Sequence, residues 1–205
     1  EDYKEMKIDR LFRIASQTKA ITSVSVMILN ERGLINFTDP VSKYIPSFKK
    51  TSVLVVNKDT SYTEVPAVRE ITVHDLLTHS AGISYGWGII EDKWKEIGLH
   101  GWYFAGKEQT MKQALAPLTT LPQQAQPGSE FVYGHSTDLL GVIIEFISGK
   151  SLKEFFETEI TGPLGMIDTH FYIPQSKLSR LTAVYNATDS HIKRASDTDT
   201  EEDYM

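Results

Sequence analysis

Cysteine is absent from this sequence, and with it go disulfide frameworks, thiolate metal sites and cysteine nucleophiles. The compartment stays open, because chains from oxidising and reducing compartments alike can lack the residue. Basic side chains are in short supply: 21 Lys and Arg stand against 27 Asp and Glu, for a net charge of −6. That balance argues against nucleic acid as a partner, since phosphate binding calls for a basic stripe. No apolar run approaches the roughly 18 residues of a membrane-spanning helix. The opening Glu1-Asp2-Tyr3-Lys4 is neither an initiator nor a signal peptide, so the chain reads as a piece that begins inside something longer. What remains is ordinary globular material of 205 residues, 40% hydrophobic and 23% charged, with room for one domain or one and a half.

Apolar spacing predicts helices in sequence, with few strands. From residue 19 to 30, Ile21, Val24, Met27 and Ile28 recur at three and four, the mark of one buried stripe, and Gly33 offers a C-terminal stop. Asp39-Pro40 marks a turn, and Val53-Leu54-Val55-Val56 reads as a strand or extended loop. A second helix is announced by Thr72 with Asp75 three residues on, a relative of the capping box, and Ala81-Gly82 is read as its end. Residues 84–108, rich in Gly, Trp and Tyr, carry little periodicity and read as a long loop or irregular helices. Helical spacing returns over residues 110–121. It is clearest after Phe131-Val132-Tyr133, where Leu139, Leu140, Val142, Ile143, Phe146 and Ile147 form one broad face ended by Gly149. Ser151 and Glu154 then open another helix, stopped by Gly162-Pro163. The tail from Ala195 holds five acids and no base, which reads as a loose end.

Two short segments carry chemistry. In Ser16-Gln17-Thr18-Lys19 the serine and lysine are three apart, so on a helix they share a face and can touch. A lysine partly desolvated near a helix N-terminus can act as a base for the hydroxyl. The spacing alone is weak. With 17 Ser and 15 Lys in the chain, about one such pair arises by chance, and Ser47–Lys50 and Ser190–Lys193 also fit. Only Ser16 opens a strongly apolar helix; the bland alternative is a helix cap beside a solvated lysine. The second segment is Tyr133-Gly134-His135-Ser136, between an extended tripeptide and a helix. A tyrosine at such a turn can present its hydroxyl to a site, and a neighbouring cationic lysine lowers its pKa toward that of a useful base. His135 is a candidate substrate-binding residue on the rim, although a lone histidine is more often structural.

Other patterns fail on inspection. Gly149-Lys150-Ser151 resembles the end of a phosphate loop, but the required glycine position is Ile144. His74 and His79 are five apart and do not share a helix face as two zinc ligands would. No Gly-x-Ser-x-Gly elbow exists, and the sequons at Asn36 and Asn186 matter only in a eukaryotic secreted protein.

Taken together, the segments resemble a known family. Leu11-Phe12-Arg13-Ile14-Ala15-Ser16-Gln17-Thr18-Lys19 resembles the active-site block of the serine β-lactamase-related family, which includes class C β-lactamases, D-Ala-D-Ala carboxypeptidases and family VIII carboxylesterases. Asp39-Pro40-Val41-Ser42-Lys43-Tyr44-Ile45-Pro46, residues 71–82, residues 127–151 and Pro163-Leu164-Gly165-Met166 are similar to its other blocks, in its order. The resemblance covers residues 8–185. It implies an α/β fold of the β-lactamase/transpeptidase type, an antiparallel sheet flanked by helices with a helical subdomain, of which this chain holds mostly the helical part as one incomplete domain over residues 1–205. It also implies that Ser16 is the acylated nucleophile, that Lys19 takes its proton, and that Tyr133 passes a proton to the leaving group. Ser16 would supply one of two backbone oxyanion donors, and no metal or organic cofactor is needed. Class C β-lactamases usually read Tyr-x-Asn where this chain has Tyr133-Gly134-His135. That departure points to the esterase branch: a serine hydrolase of small esters, with room for weak β-lactamase activity. The alternatives are a D-Ala-D-Ala carboxypeptidase or D-aminopeptidase on peptidoglycan-type peptides, and a non-catalytic binding module. The family's last motif, Lys-Thr-Gly or an equivalent, has no match after Tyr133, so the resemblance implies that its strand comes from flanking sequence or another chain. The resemblance alone implies a periplasmic or secreted location, with a cytoplasmic one as the alternative.

Overall fold

The computed structural model describes residues 5–59, 61–101, 109–187 and 191–194. The acidic tail from Ala195 and part of the aromatic loop, residues 102–108, lie outside them. A short 3-10 turn, Ala15–Gln17, runs directly into helix α1, Thr18–Glu31. Two 3-10 turns, Val41–Lys43 and Pro46–Lys49, lead to a hairpin of β1, Ser52–Val56, and β2, Tyr62–Pro66, paired antiparallel. Helices α2, Val73–Leu77, α3, Glu91–Glu96, and α4, Met111–Leu115, follow. Then come α5, Ser136–Ser148, and α6, Leu152–Phe156, which widens into a π-turn over Glu157–Thr161. A last antiparallel hairpin joins β3, Tyr185–Ala187, to β4, Ile192–Arg194. The chain is mostly helical, and among the described residues its strands form two separate hairpins.

Helix α5 is the hub, with α1, α2, α4 and α6 packed around it. Leu139, Leu140, Val142, Ile143 and Ile144 are all buried there, and each such side chain contributes roughly 1.5–3 kcal/mol by leaving water. Its end is set by Gly149, at φ 67° in the left-handed region that glycine enters freely. The face differs from the expected one at one point: Ile144 is buried whereas Phe146 is exposed. Capping behaves as the sequence predicts. Thr72 and Asp75 form a full capping box on α2, as do Ser151 and Glu154 on α6. However, α2 stops at Leu77 rather than at Ala81-Gly82, because His79 turns the backbone to φ 53°.

The stripe expected on α1 is displaced. Its buried positions are Thr22, Ser25, Val26 and Leu29, whereas Val24 and Met27 are 47% and 39% exposed. The reason lies in the hydroxyls. Thr22 Oγ1 donates to the Thr18 carbonyl at 3.1 Å and Ser25 Oγ to the Ile21 carbonyl at 3.0 Å. With its donor satisfied inside the helix, each small residue can be buried at little cost.

Candidate active site

Ser16 stands at the start of α1 because the segment before it is pinned. Leu11 donates its N–H to the Arg180 carbonyl, Thr182 N–H returns to the Leu11 carbonyl, both at 2.9 Å, and Arg13 Nη1 reaches the Thr182 carbonyl at 3.1 Å. The chain then turns sharply at Ala15, whose φ of 42° is left-handed. A non-glycine residue held there costs about 1–3 kcal/mol, and such strain gathers at functional sites. The turn leaves Ser16 exposed at the N-terminus of a continuous helical run, where backbone N–H groups and the helix dipole favour negative charge. One turn on, Lys19 Nζ donates to Ser16 Oγ at 3.1 Å.

Tyr133 arrives from 117 residues away and its hydroxyl donates to the same Ser16 Oγ at 2.9 Å. Two backbone contacts aim it. Val132 N–H is held by the His79 carbonyl at 2.7 Å, and Gly134 lies flat against the backbone of Ile83 and Ser84. A Cβ on Gly134 would sit 2.3 Å from the Ile83 carbonyl oxygen, so no side chain fits there. The Lys19 ammonium lies 4.9 Å from the Tyr133 ring centre.

The electrostatics of the pair are opposed. Burial pulls Lys19 down, but hydrogen bonding to Tyr133 and interaction with Tyr85 outweigh it and leave its pKa above the ordinary lysine value. Burial pushes Tyr133 up, but its hydrogen bonds to Lys19 and Ser16 and the ammonium charge leave it below the ordinary tyrosine value. Lys19 therefore favours its charged form, and that charge favours tyrosinate at Tyr133. Beside Tyr133 opens a cleft of about 350 Å³, lined by Ser84, Trp87, Gln124, Glu130 and Phe131. Among the described residues no three of His, Asp and Glu gather as a metal site.

The Beta-lactamase family profile matches residues 1–204. The chain belongs to the Beta-lactamase family. It is 34% identical to Protein Rv1367c of Mycobacterium tuberculosis over 88% of its own length and 44% of that protein's. It is 32% identical to lovastatin esterase of Penicillium rubens over 81% of its length and 41% of that enzyme's. It thus spans less than half the length of these relatives. Among solved structures, EstCE1, a hydrolase with promiscuous acyltransferase activity, aligns with a TM-score of 0.78 and 26% identity over 94% of this chain and 47% of that one. The fold is that of the β-lactamase/transpeptidase class.

Within this Beta-lactamase-family chain the expected site residues divide. Ser16, Lys19 and Tyr133 come together around one oxygen atom. His135 does not stand on the rim. It is fully buried behind Tyr133, with Nδ1 3.2 Å from Asp138 Oδ2 and Nε2 3.2 Å from the Leu99 carbonyl, stacked 6.0 Å from Trp94. A ring with both nitrogens occupied and no exposed surface has nothing to offer a substrate. Ser47, the other serine–lysine match among the described residues, lies in the 3-10 turn Pro46–Lys49, away from Tyr133.

Sequence spacing did not find His79 and Tyr85. The His79 ring packs 4.8 Å from Tyr133 and 5.7 Å from Phe131. Burial first and the Lys19 charge second hold its pKa below the ordinary histidine value, so it stays neutral beside the ammonium. Tyr85, pushed up by burial, sets its ring edge-on to Tyr133 at 5.6 Å. The only signal for Tyr85 was the Gly-, Trp- and Tyr-rich composition of residues 84–108, and His79 had none, because turns rather than periodic elements carry both.

Proposed function

We propose that this chain forms the nucleophile-bearing part of a serine hydrolase that acts through an acyl-enzyme on small carboxylic esters. One observation carries the reading: Ser16 Oγ is held at once by Lys19 Nζ at 3.1 Å and Tyr133 Oη at 2.9 Å. A hydroxyl between a cation and a group able to take its proton meets the requirement for an activated nucleophile. In this reading Lys19 does not take the Ser16 proton, the role the family resemblance implies for it, because its raised pKa keeps it an ammonium. It lowers the pKa of Tyr133 instead, and tyrosinate accepts the Ser16 proton as Oγ attacks the ester carbonyl. The ester C–O bond then breaks, Tyr133 returns the proton to the departing alcohol, and the acyl group remains on Ser16. Water, deprotonated by the same tyrosinate, attacks the acyl carbon; the bond to Ser16 Oγ breaks, Tyr133 returns the proton to Oγ, and the carboxylic acid leaves.

The oxyanion that forms on the way needs donors fixed in advance. The N–H of Ser16 at the helix start is one. The second comes, in this proposal, from strands in flanking sequence or another chain. The names of the esterases among the relatives support an ester rather than a peptide as substrate, as does the absence of an Asn two residues after Tyr133. A comparison of kcat/KM for p-nitrophenyl butyrate and a D-Ala-D-Ala peptide tests the choice. The ester should win by at least about tenfold; faster peptide cleavage would move the chain to the peptidase branch.

A further inference from the structure

The cleft beside Tyr133 has a composition that the hydrolytic machinery does not use. Among the described residues lining it, Glu130 is the only charged one. Its exposed carboxylate makes no ion pair with a described Lys, Arg or His. Around it stand aromatic faces. Phe131 is 69% exposed and stacks nearly parallel to Tyr133 at 6.3 Å and 17°. Trp87 is half exposed, braced edge-on by Tyr85 at 5.7 Å, and its carbonyl is held by Gln124 Nε2 at 2.8 Å. Negative ring faces beside an unpaired carboxylate attract a cation and repel an anion. The Lys19 ammonium is not part of this lining; it is engaged with Ser16 and with the Tyr133 ring.

We infer that this cleft takes the leaving group of the ester, and that it selects an alcohol carrying positive charge, with Glu130 as the specificity-determining residue. The inference rests on the reading of Ser16 and Tyr133 given above. The assignment to the leaving group follows from Tyr133, which both lines the cleft and hands the proton to the departing oxygen. A substrate ending in a carboxylate would meet Glu130 as a like charge.

Two isosteric esters isolate the charge: acetylcholine and 3,3-dimethylbutyl acetate differ in their leaving groups by one ammonium nitrogen in place of carbon. The protein should prefer the cationic ester by about tenfold in kcat/KM, the range of one exposed cation–π contact plus an ion pair. Glu130→Gln should bring the ratio close to one, and Glu130→Lys should invert it. Calorimetric binding of phenyltrimethylammonium reads the cleft without turnover and should weaken about tenfold in Glu130→Gln. Labelling of the unmodified protein by a neutral fluorophosphonate reads Ser16 independently. Equal ammonium binding by the unmodified protein and Glu130→Gln, or an ester ratio near one in the unmodified protein, overturns the inference whether or not labelling occurs. Loss of labelling with ammonium binding intact overturns the nucleophile reading and leaves the cation site standing.

Discussion

The proposed hydrolysis turns on three side chains around one oxygen, Ser16, Lys19 and Tyr133. If Lys19 holds Tyr133 in its basic form, Lys19→Ala should cut ester hydrolysis by at least about a hundredfold, the lower range for a positioned proton carrier. Lys19→Arg separates charge from geometry: the guanidinium keeps the charge but cannot place a single ammonium on Ser16 Oγ, and it too should fail. Tyr133→Phe removes one hydroxyl from a ring already packed on His79 and Tyr85. Melting should barely change while turnover falls; a variant that melts early yet keeps its specific activity would assign Tyr133 to packing. The pH profile follows from the same pair. Activity should rise with pH as Tyr133 ionises, with a midpoint below the ordinary tyrosine value of 10.0. In Lys19→Ala the residual activity should shift its midpoint upward, because the charge that lowers the tyrosine pKa is gone.

The elements that aim these residues have their own tests. Gly134→Ala forces a Cβ to within 2.3 Å of the Ile83 carbonyl, so the extended segment carrying Tyr133 must move. It should lower turnover more than stability, which parallel melting and kinetic measurements would resolve. Asp75 is 2% exposed; it caps α2 through Thr72 and takes a bidentate contact from Arg69, Nη2 to Oδ1 at 2.9 Å. Burial opposes its charge, but these partners hold its pKa below the ordinary carboxylate range. A depressed folded pKa gives stability that is present above the unfolded value near 3.9 and lost as pH falls through the folded one. Asp75→Asn should remove that acid-side dependence and cost about 2–3 kcal/mol at neutral pH, read by urea unfolding. The capping boxes at Thr72 and Ser151 were legible in the sequence because both partners lie within one turn. Ser16 and Lys19 were legible for the same reason, and Tyr133 because a short extended segment turning into a helix announces itself. The inward face of α1 was not, since a hydrophobicity pattern does not register that Thr22 and Ser25 satisfy their own hydroxyls. Nor was the burial of His135, which depends on Leu99 and Trp94, residues 36 and 41 positions away.

At the scale of the whole molecule, the chain carries the β-lactamase/transpeptidase-class helices around α5 and two small hairpins, and it spans 44% of its mycobacterial relative. Val24, Met27, Phe146, Leu164 and Ile167 are exposed on its surface, and apolar side chains of that size in water favour association. Residues 1–205 expressed alone should therefore self-associate in light scattering. If, as proposed, flanking strands supply the second oxyanion donor, residues 1–205 should also turn over esters at least about a hundredfold more slowly than a version extended by those strands, the cost of losing one such donor. A well-behaved monomer with the turnover of the longer version would contradict that account. The nucleophile itself can be tested more directly than the assembly. A fluorophosphonate probe followed by peptide mass mapping should place a single adduct on Ser16 and none in Ser16→Ala, with labelling slowed in Lys19→Ala and Tyr133→Phe. An adduct on any other serine, or undiminished labelling of Ser16→Ala, would contradict the central claim that Ser16, Lys19 and Tyr133 act as one unit.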